Sequence, residues 1–281
     1  MNSNKKQKEF WTDLAGKIWV EGKNEKDNML LPLGNELLKR SKIISGMKVL
    51  EVGCGTGYIM GQLSKKVGKN GHVTGVDISH TMISEAERYL NNHGVANTTC
   101  KVLDAENDDL GTFKYDIIVS RFGVMFFNNP IKAFKNLIYS LKDNSYIYFI
   151  CWQDHRLNPW NSVPLRIVKK YIDLPVIEEQ APSPFAFANK DYIYEILNNS
   201  EYQNINIDSH SEIIELHKGF NLYDGVKDYL HKTPIFTKQY FNLSNDKKNK
   251  LFEDLLEELQ EYHVDNVFKF DAKTWIVSAQ K

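Results

Sequence analysis

A doubly wound α/β fold follows from three features of this sequence. Short apolar runs alternate with amphipathic stretches from about residue 47 to 151. The first run opens into three glycines at alternate positions, Gly53, Gly55 and Gly57. A helical pattern then begins at Tyr58, so the glycines stand where a strand becomes a helix. Apolar strands alternating with amphipathic helices imply a parallel sheet covered on both faces.

The elements follow in order. Lys48–Val52 reads as the first strand and Tyr58–Val67 as the helix after it. His72–Asp77 is the second strand, and Ser79 stands at a helix N-cap. Met82, Ile83, Ala86 and Leu90 give that helix its apolar face. Thr99–Leu103 and Tyr115–Ser120 read as the third and fourth strands. Asn129-Pro130 is a cap followed by a first-turn proline, and Ile131, Phe134, Leu137, Ile138 and Leu141 follow at helical spacing. Tyr146–Cys151 is the fifth strand.

After Cys151 the texture changes. Residues 152–187 are rich in proline and aromatics without a clear period, and read as an insertion folded over the core. Lys190–Leu197 reads as a helix and Ile205–Leu216 as a strand. Residues 221–232 and 245–262 look helical, the latter with a Leu251–Leu259 stripe suited to packing on a cap. Thr274–Ala279 is the final strand. The expected division is a helical segment at 1–46 over the cofactor site and a cofactor-binding core at 47–151. A cap insertion at 152–187, more core at 188–217, a helical cap at 218–270 and a terminal core strand at 271–281 complete it.

Composition narrows the function. A formal net charge of −1 over 281 residues leaves no basic footprint for nucleic acid. Cys54, Cys100 and Cys151 form no CxxC pair, so reduced thiols in the core are expected, with no metal site and no disulfide. Met1–Glu9 is polar and lysine-rich, without the apolar stretch of a signal peptide. The longest apolar runs, such as Tyr146–Trp152, are too short to cross a bilayer. A soluble, cytoplasmic protein is expected.

Four strand ends carry residues suited to one ligand. Glycines at a strand-to-helix turn let a ligand approach backbone N–H groups. Their spacing is GxGxG after an acid, Glu51, which could meet a positive group on the ligand. Asp77 closes the second strand, where a carboxylate can accept both ribose hydroxyls, and Ile78 can lie against adenine. Asp104, between Leu103 and Ala105, could accept from the adenine amino group. The fourth strand ends in Ser120-Arg121-Phe122-Gly123. Together these point to an adenosine-containing cofactor.

The sequence resembles class I S-adenosylmethionine-dependent methyltransferases. VLEVGCGTG at 49–57, VTGVDIS at 73–79, LDAEN at 102–106 and YDIIVSRFGVMFF at 115–127 match the family's first four motifs in turn. More narrowly, SRFGVMFFNNPIKAFKNLIYSL at 120–141, Asn-Pro-Trp at 158–160 and Pro-Phe-Ala-Phe-Ala at 184–188 resemble the ubiquinone/menaquinone-biosynthesis C-methyltransferase subgroup. Where many relatives have Lys-Pro-Gly-Gly, this chain has Lys142-Asp-Asn-Ser145. Asn144 tolerates left-handed backbone, so the turn is expected to survive.

The resemblance implies a seven-stranded Rossmann-like sheet whose last strand runs antiparallel beside 205–216, and a methyl transfer from S-adenosylmethionine. It places Glu51, Gly53, Gly55 and Gly57 at the methionine end, counts Cys54 among the cofactor-binding residues and puts Asp77 on the ribose. Ile78 and Met82 would flank the adenine, Asp104 and Ala105 would read its edge, and Ser120, Arg121 and Phe122 would lie by the sulfonium.

The acceptor must then approach from above the fourth and fifth strands. Arg121, Met125, Trp152 and Trp160 would converge there, joined by Asn158, Phe185 and Phe187 from the cap. Trp152, Trp160, Phe185 and Phe187 admit two readings, a pocket wall or the small core of a proline-rich cap. Arg121 at a buried strand end needs an anion or an acceptor. His155 is a candidate general base, with a plain loop histidine as the alternative. The expected substrate is a small aromatic or hydrophobic molecule. Rival readings are an aminopropyl transferase, a dinucleotide oxidoreductase and a non-catalytic S-adenosylmethionine-binding partner subunit.

Overall fold

The computed structural model describes residues 4–176 and 178–281. Three helices open the chain: α1 (Lys5–Thr12), α2 (Leu14–Glu21) and α3 (Lys23–Arg40). The alternating core then runs β1 (Lys48–Val52), α4 (Tyr58–Val67), β2 (His72–Asp77), α5 (His80–Asn92), β3 (Thr98–Val102) and β4 (Tyr115–Arg121). It continues through α6 (Pro130–Ser140) and β5 (Leu141–Trp152). Beyond it lie α7 (Pro159–Val168), α8 (Lys190–Asn199), β6 (Gln203–Leu216), α9 (Leu222–Lys232), α10 (Thr237–Phe241) and α11 (Asn245–Leu259). The chain closes with β7 (His263–Val264) and β8 (Val267–Gln280).

Seven strands lie on one path, β3-β2-β1-β4-β5-β8-β6, and the two-residue β7 pairs with β8 beside it. The five from β3 to β5 are mutually parallel. β8 is antiparallel to both β5 and β6, as the resemblance implied. Parallel strands covered on both faces read as continuous apolar runs, and Val49, Leu50, Ile118 and Val119 are fully buried. The helices answer with Ile59, Met60 and Leu63 on α4 and Phe134 and Leu137 on α6. Ser79 caps α5 by accepting the Met82 N–H, and Asn129 caps α6 by accepting that of Lys132.

The strand order reverses between β1 and β4. Ligands of open α/β sheets settle in the crevice at the carboxyl ends of the strands where that happens.

The structure departs from the sequence reading at α10 and β7, which that reading omits, at α11, which ends at Leu259, and in three larger ways. Residues 159–168 form α7, a helix whose period is masked by Pro159 at its start and Pro164 inside it. β8 begins at Val267, seven residues before the strand read from the sequence, because β6 pairs with it back to the Leu216↔Phe268 register. β5 begins at Leu141 and carries Asn144 at φ +61°, the left-handed conformation expected of it. Beyond the Trp152↔Thr274 pair, β6 and β8 leave the sheet together for six more residues, an arm of about 20 Å. No helix among the described residues is long and apolar enough to cross a membrane.

Candidate active site

The carboxyl ends of the central strands open into one cavity of about 1510 Å³. The turn after β1 forms part of its floor. Gly53 N–H and Cys54 N–H both donate to the Val76 carbonyl, at 2.9 and 3.1 Å, tying the turn to β2. Gly53 has φ +68°, and a β-carbon there would lie 2.8 Å from the Gly123 α-carbon. Gly55 has φ +53° and faces open space, with no atom within 4 Å of where a β-carbon would stand. That is the room a ligand needs to reach the backbone.

The carboxylates beside this turn differ in what they hold. Asp77 accepts Gly55 N–H at 3.0 Å and Ser79 N–H at 2.9 Å, while removal from bulk water pushes its carboxyl up to about 6. Glu51 is buried, and its Oε2 has no hydrogen-bond partner. Burial drives the Glu51 carboxyl well above the usual range, and the Arg121 guanidinium pulls the other way. A buried carboxylate lacking a partner is suited to a cationic group brought by a ligand.

Of the expected cofactor residues, Glu51, Gly53, Cys54, Gly55 and Asp77 line the cavity. So do Ile78, Met82, Asp104, Ala105, Arg121 and Phe122. Asp104 is heavily engaged. Asn4 Nδ2 donates to both its oxygens at 3.0 and 2.9 Å, the Glu106 N–H adds a third bond and Asn107 Nδ2 a fourth. These fill the roughly four lone-pair sites a carboxylate offers, so a ligand amino group would have to displace Asn4.

Two residues of the cofactor set stand elsewhere. Gly57 faces α5, where an added β-carbon would lie 3.1 Å from both Ala86 Cα and Cβ. Its role is close helix packing. Ser120 is fully buried and acts as a strut: its hydroxyl donates to the Val52 carbonyl at 2.8 Å and accepts Gly123 N–H at 3.3 Å.

On the acceptor side, Met125, Trp152, Trp160 and Phe185 line the cavity with Arg121 and Phe122. They form an aromatic wall. Phe122 stacks on Trp152 with centroids 4.4 Å apart, Trp160 follows at 4.8 Å, and Phe185 stacks on Trp160 at 6.0 Å. Arg121 is already paired. Its Nη2 lies 3.3 Å from Asp27 Oδ1, and Asp27 is 2.5 Å from Lys23 Nζ; Nη1 is buried without a partner.

Asn158 and Phe187 do not face this space. Asn158 is fully buried and clamps the cap to β8: its Nδ2 donates to the Gln153, Asp154 and Lys273 carbonyls. Its Oδ1 accepts the Trp160 indole N–H at 3.1 Å, so it aims the ring that does line the wall. Phe187 packs behind the wall against Phe134, Phe149 and Tyr192. His155 reaches the cavity rim, half-exposed, with Nδ1 3.3 Å from Asp154 Oδ1. Arg156 beside that carboxyl holds it down at about 2.

Several lining residues lay outside the sequence reading of the site. Trp11 and Trp19 come from the N-terminal helices, with Trp11 edge-on to Phe126 at 5.0 Å. Glu25, His217 and Asp228 meet from α3, the turn after β6, and α9. No local pattern marks residues that only the topology brings together.

The methyltransferase-domain family matches residues 43–201, more than half of the 281-residue chain. The chain belongs to this methyltransferase-domain family. The methyltransferase is 32% identical over 102 residues to aklanonic acid methyltransferase of Streptomyces sp. (strain C5), covering 36% of this chain and 46% of that one. It is 31% identical over 130 residues to the ubiquinone/menaquinone biosynthesis C-methyltransferase of Idiomarina loihiensis, covering 44% and 52%. The match thus spans about half the length of these relatives. In fold it is similar to a SAM-dependent methyltransferase from Aquifex aeolicus, with TM-score 0.52 and 16% identity over 91% of this chain and 96% of that one.

The cofactor of the methyltransferase is S-adenosylmethionine, and the residues present fit it. The unpartnered Glu51 oxygen suits its ammonium group, the open face of Gly55 admits its chain, and each Asp77 oxygen keeps a lone pair for the ribose.

Proposed function

We propose that this chain transfers a methyl group from S-adenosylmethionine to a small, planar or hydrophobic organic acceptor. One observation carries this reading. A single cavity joins the glycine turn to the aromatic wall, and its roughly 1510 Å³ exceeds what one drug-sized ligand fills. There is room for a cofactor and an acceptor side by side. The relatives named for aklanonic acid and for ubiquinone/menaquinone biosynthesis support a small acceptor.

When bound, the cofactor supplies a methyl group on an electrophilic sulfonium. The chain has to bring an acceptor into line with it and exclude water. Glu51 and Asp77 hold the two ends of the cofactor, while the Phe122–Trp152–Trp160 wall orients a flat acceptor and offers ring faces to the sulfonium charge. The core at 47–151, 188–217 and 271–281 holds the cofactor with the segment at 1–46 over it, and the segments at 152–187 and 218–270 enclose the acceptor. Three free thiols, two of them buried, support a cytoplasmic location for the protein. Family membership does not favour the aminopropyl, dinucleotide or non-catalytic alternatives.

Calorimetric titration with S-adenosylmethionine, S-adenosylhomocysteine and NAD tests the cofactor half. The first two are expected to bind and NAD is not. A screen of phenols, enols, amines and carboxylic acids, read as S-adenosylhomocysteine release, tests the other half; release with none of them would sink the small-acceptor reading.

A further inference from the structure

We propose that Glu25, His217 and Asp228 form a divalent-metal site of the zinc type, with one coordination position left open toward the main cavity. The site is separate from the glycine turn, and its occupancy does not depend on S-adenosylmethionine.

Three segments remote in sequence deliver the ligands: Glu25 from α3, His217 from the turn after β6 and Asp228 from α9. Their donor atoms all lie within 4.8 Å of one another. Nδ1 of His217 is 2.9 Å from Glu25 Oε1 and 3.5 Å from Asp228 Oδ2. Zinc holds nitrogen and oxygen ligands at about 2.0–2.2 Å, which sets neighbouring ligand atoms roughly 3–3.5 Å apart. The two contacts of Nδ1 have the spacing of ligands that share one cation.

Nδ1 of His217 is buried and makes no hydrogen bond, although two carboxylate oxygens stand beside it. A hydrogen bond weakens steeply as the acceptor leaves the N–H axis. An imidazolium paired with a carboxylate would align its N–H on one oxygen, and here it aligns on neither. A buried polar atom left this way costs free energy unless a partner fills the place. A cation between the three donors fills it by taking the lone pair of the neutral imidazole.

The ligands are braced from outside. Glu25 Oε1 accepts the backbone N–H of His217 at 3.1 Å. Lys232 Nζ lies 2.5 Å from Asp228 Oδ1, which leaves Oδ2 for the metal. Phe220 and Phe268 meet the imidazole edge-on, each with centroids 5.8 Å away, and fix its plane. Outer contacts of this kind orient metal ligands. Lys26, next to Glu25 in sequence, turns to the Ile18 carbonyl at 2.8 Å and lies over the Trp19 ring at 5.3 Å. Two carboxylates thus face one ammonium, Lys232, and can accept a cation.

Three protein ligands leave the fourth corner of a zinc tetrahedron open. All three residues line the main cavity, so that corner opens into it. Asp228 also lines a second cavity of about 350 Å³ with Gly219, Phe220, Asp224 and Lys227, which gives the ion another approach. A cation here ties the tip of the β6–β8 arm to α3 and α9. It also offers its open corner to water or to an oxygen of whatever fills the cavity.

The test is calorimetric titration of the full chain, freed of metal by a chelator, with Zn²⁺ and then with Co²⁺ as a visible probe. One equivalent of Zn²⁺ is expected to bind and to raise the melting temperature, because it binds the folded state. Bound Co²⁺ should absorb in the visible without a thiolate charge-transfer band, and azide should shift the spectrum by entering the open corner. Glu25→Gln keeps an acceptor for the His217 N–H and removes the charge. His217→Asn suits the left-handed backbone there, at φ +51°. Each should weaken Zn²⁺ by about tenfold or more, while the metal-free melting temperature stays at the parent's. If His217→Asn does not fold, Glu25→Gln alone decides. No stoichiometric Zn²⁺ binding by the parent, or parent-like binding in Glu25→Gln, overturns the proposal. So does a thiolate band, which would put the metal on a cysteine. A Co²⁺ spectrum indifferent to azide overturns the open corner.

Discussion

The Asp77 carboxylate accepts the backbone N–H of Gly55 across 3.0 Å, so β2 holds the turn that follows β1 in place. Its other oxygen accepts Ser79 N–H at 2.9 Å, at the start of α5. One side chain thus braces both walls of the cofactor crevice before any ligand arrives.

This brace makes cofactor binding depend on pH. The Asp77 carboxyl is raised to about 6 by burial, so the folded protein holds that proton more tightly than the unfolded chain does. The cost of keeping it ionised is therefore full above about 6, and it is relieved as pH falls from there toward the ordinary carboxylate range. Ribose hydroxyls need the ionised form. S-adenosylhomocysteine affinity, measured by calorimetry, should weaken as pH drops below about 6. Asp77→Ala should lower it by about 1.5–3 kcal/mol and remove most of the pH dependence. Parent-like affinity in that variant would reject the ribose assignment.

Gly55 and Gly57 should respond to the same substitution in opposite ways. Gly55 faces open space, so Gly55→Val projects into the cofactor's path, and its left-handed backbone adds strain of about 1–2 kcal/mol. Binding should be lost while the protein still folds. Gly57 faces Ala86 at 3.1 Å, so Gly57→Val should lower the melting temperature markedly. Thermal melts and ligand titrations on both variants check this, and the reverse pattern would contradict the geometry.

Glu51 should matter only to ligands that carry the amino-acid end. Glu51→Gln is expected to weaken S-adenosylhomocysteine by about 1.5–3 kcal/mol, the scale of a bond to a charged group. Binding of 5′-methylthioadenosine, which lacks the ammonium, should be unchanged. Equal losses for both ligands would place Glu51 in the support of the turn.

Trp160 tests the acceptor wall. Removing its ring opens the space between Trp152 and Phe185. Trp160→Ala should reduce acceptor turnover and leave S-adenosylmethionine affinity within a few-fold of the parent. A parallel loss of cofactor affinity would show that the wall supports the cofactor half.

Legibility in the sequence followed how local each feature is. β1, β2 and α4 begin and end where the apolar pattern and the glycines put them, because neighbouring residues alone decide those boundaries. α7 was hidden, since Pro159 and Pro164 break the visible period while the helix survives on its packing. The length of β8 had no local sign, being set by its partner β6. Most residues picked by motif position line the cavity, but motif position could not tell which way a side chain points. Ser120 turns to the Val52 carbonyl, and Phe187 turns to Phe134. Asn4 on Asp104 spans 100 residues, and His217 meets Glu25 across 192, distances over which no periodicity speaks.

The arm formed by β6 and β8 is rooted in the sheet through β5; beyond Trp152 it is held by Gln153 and Asn158 on Lys273 and, at the tip, by Glu25 of α3 on the His217 N–H. Its tip carries Leu216 and His217 into the cavity, some 20 Å past the last rung shared with β5. An arm of this kind separates two burdens. Substitutions near the tip reshape the far wall without disturbing the strands that set the glycine turn, and local opening there leaves the root intact. The far wall can thus change while β1 and β2, which set the glycine turn, keep their register.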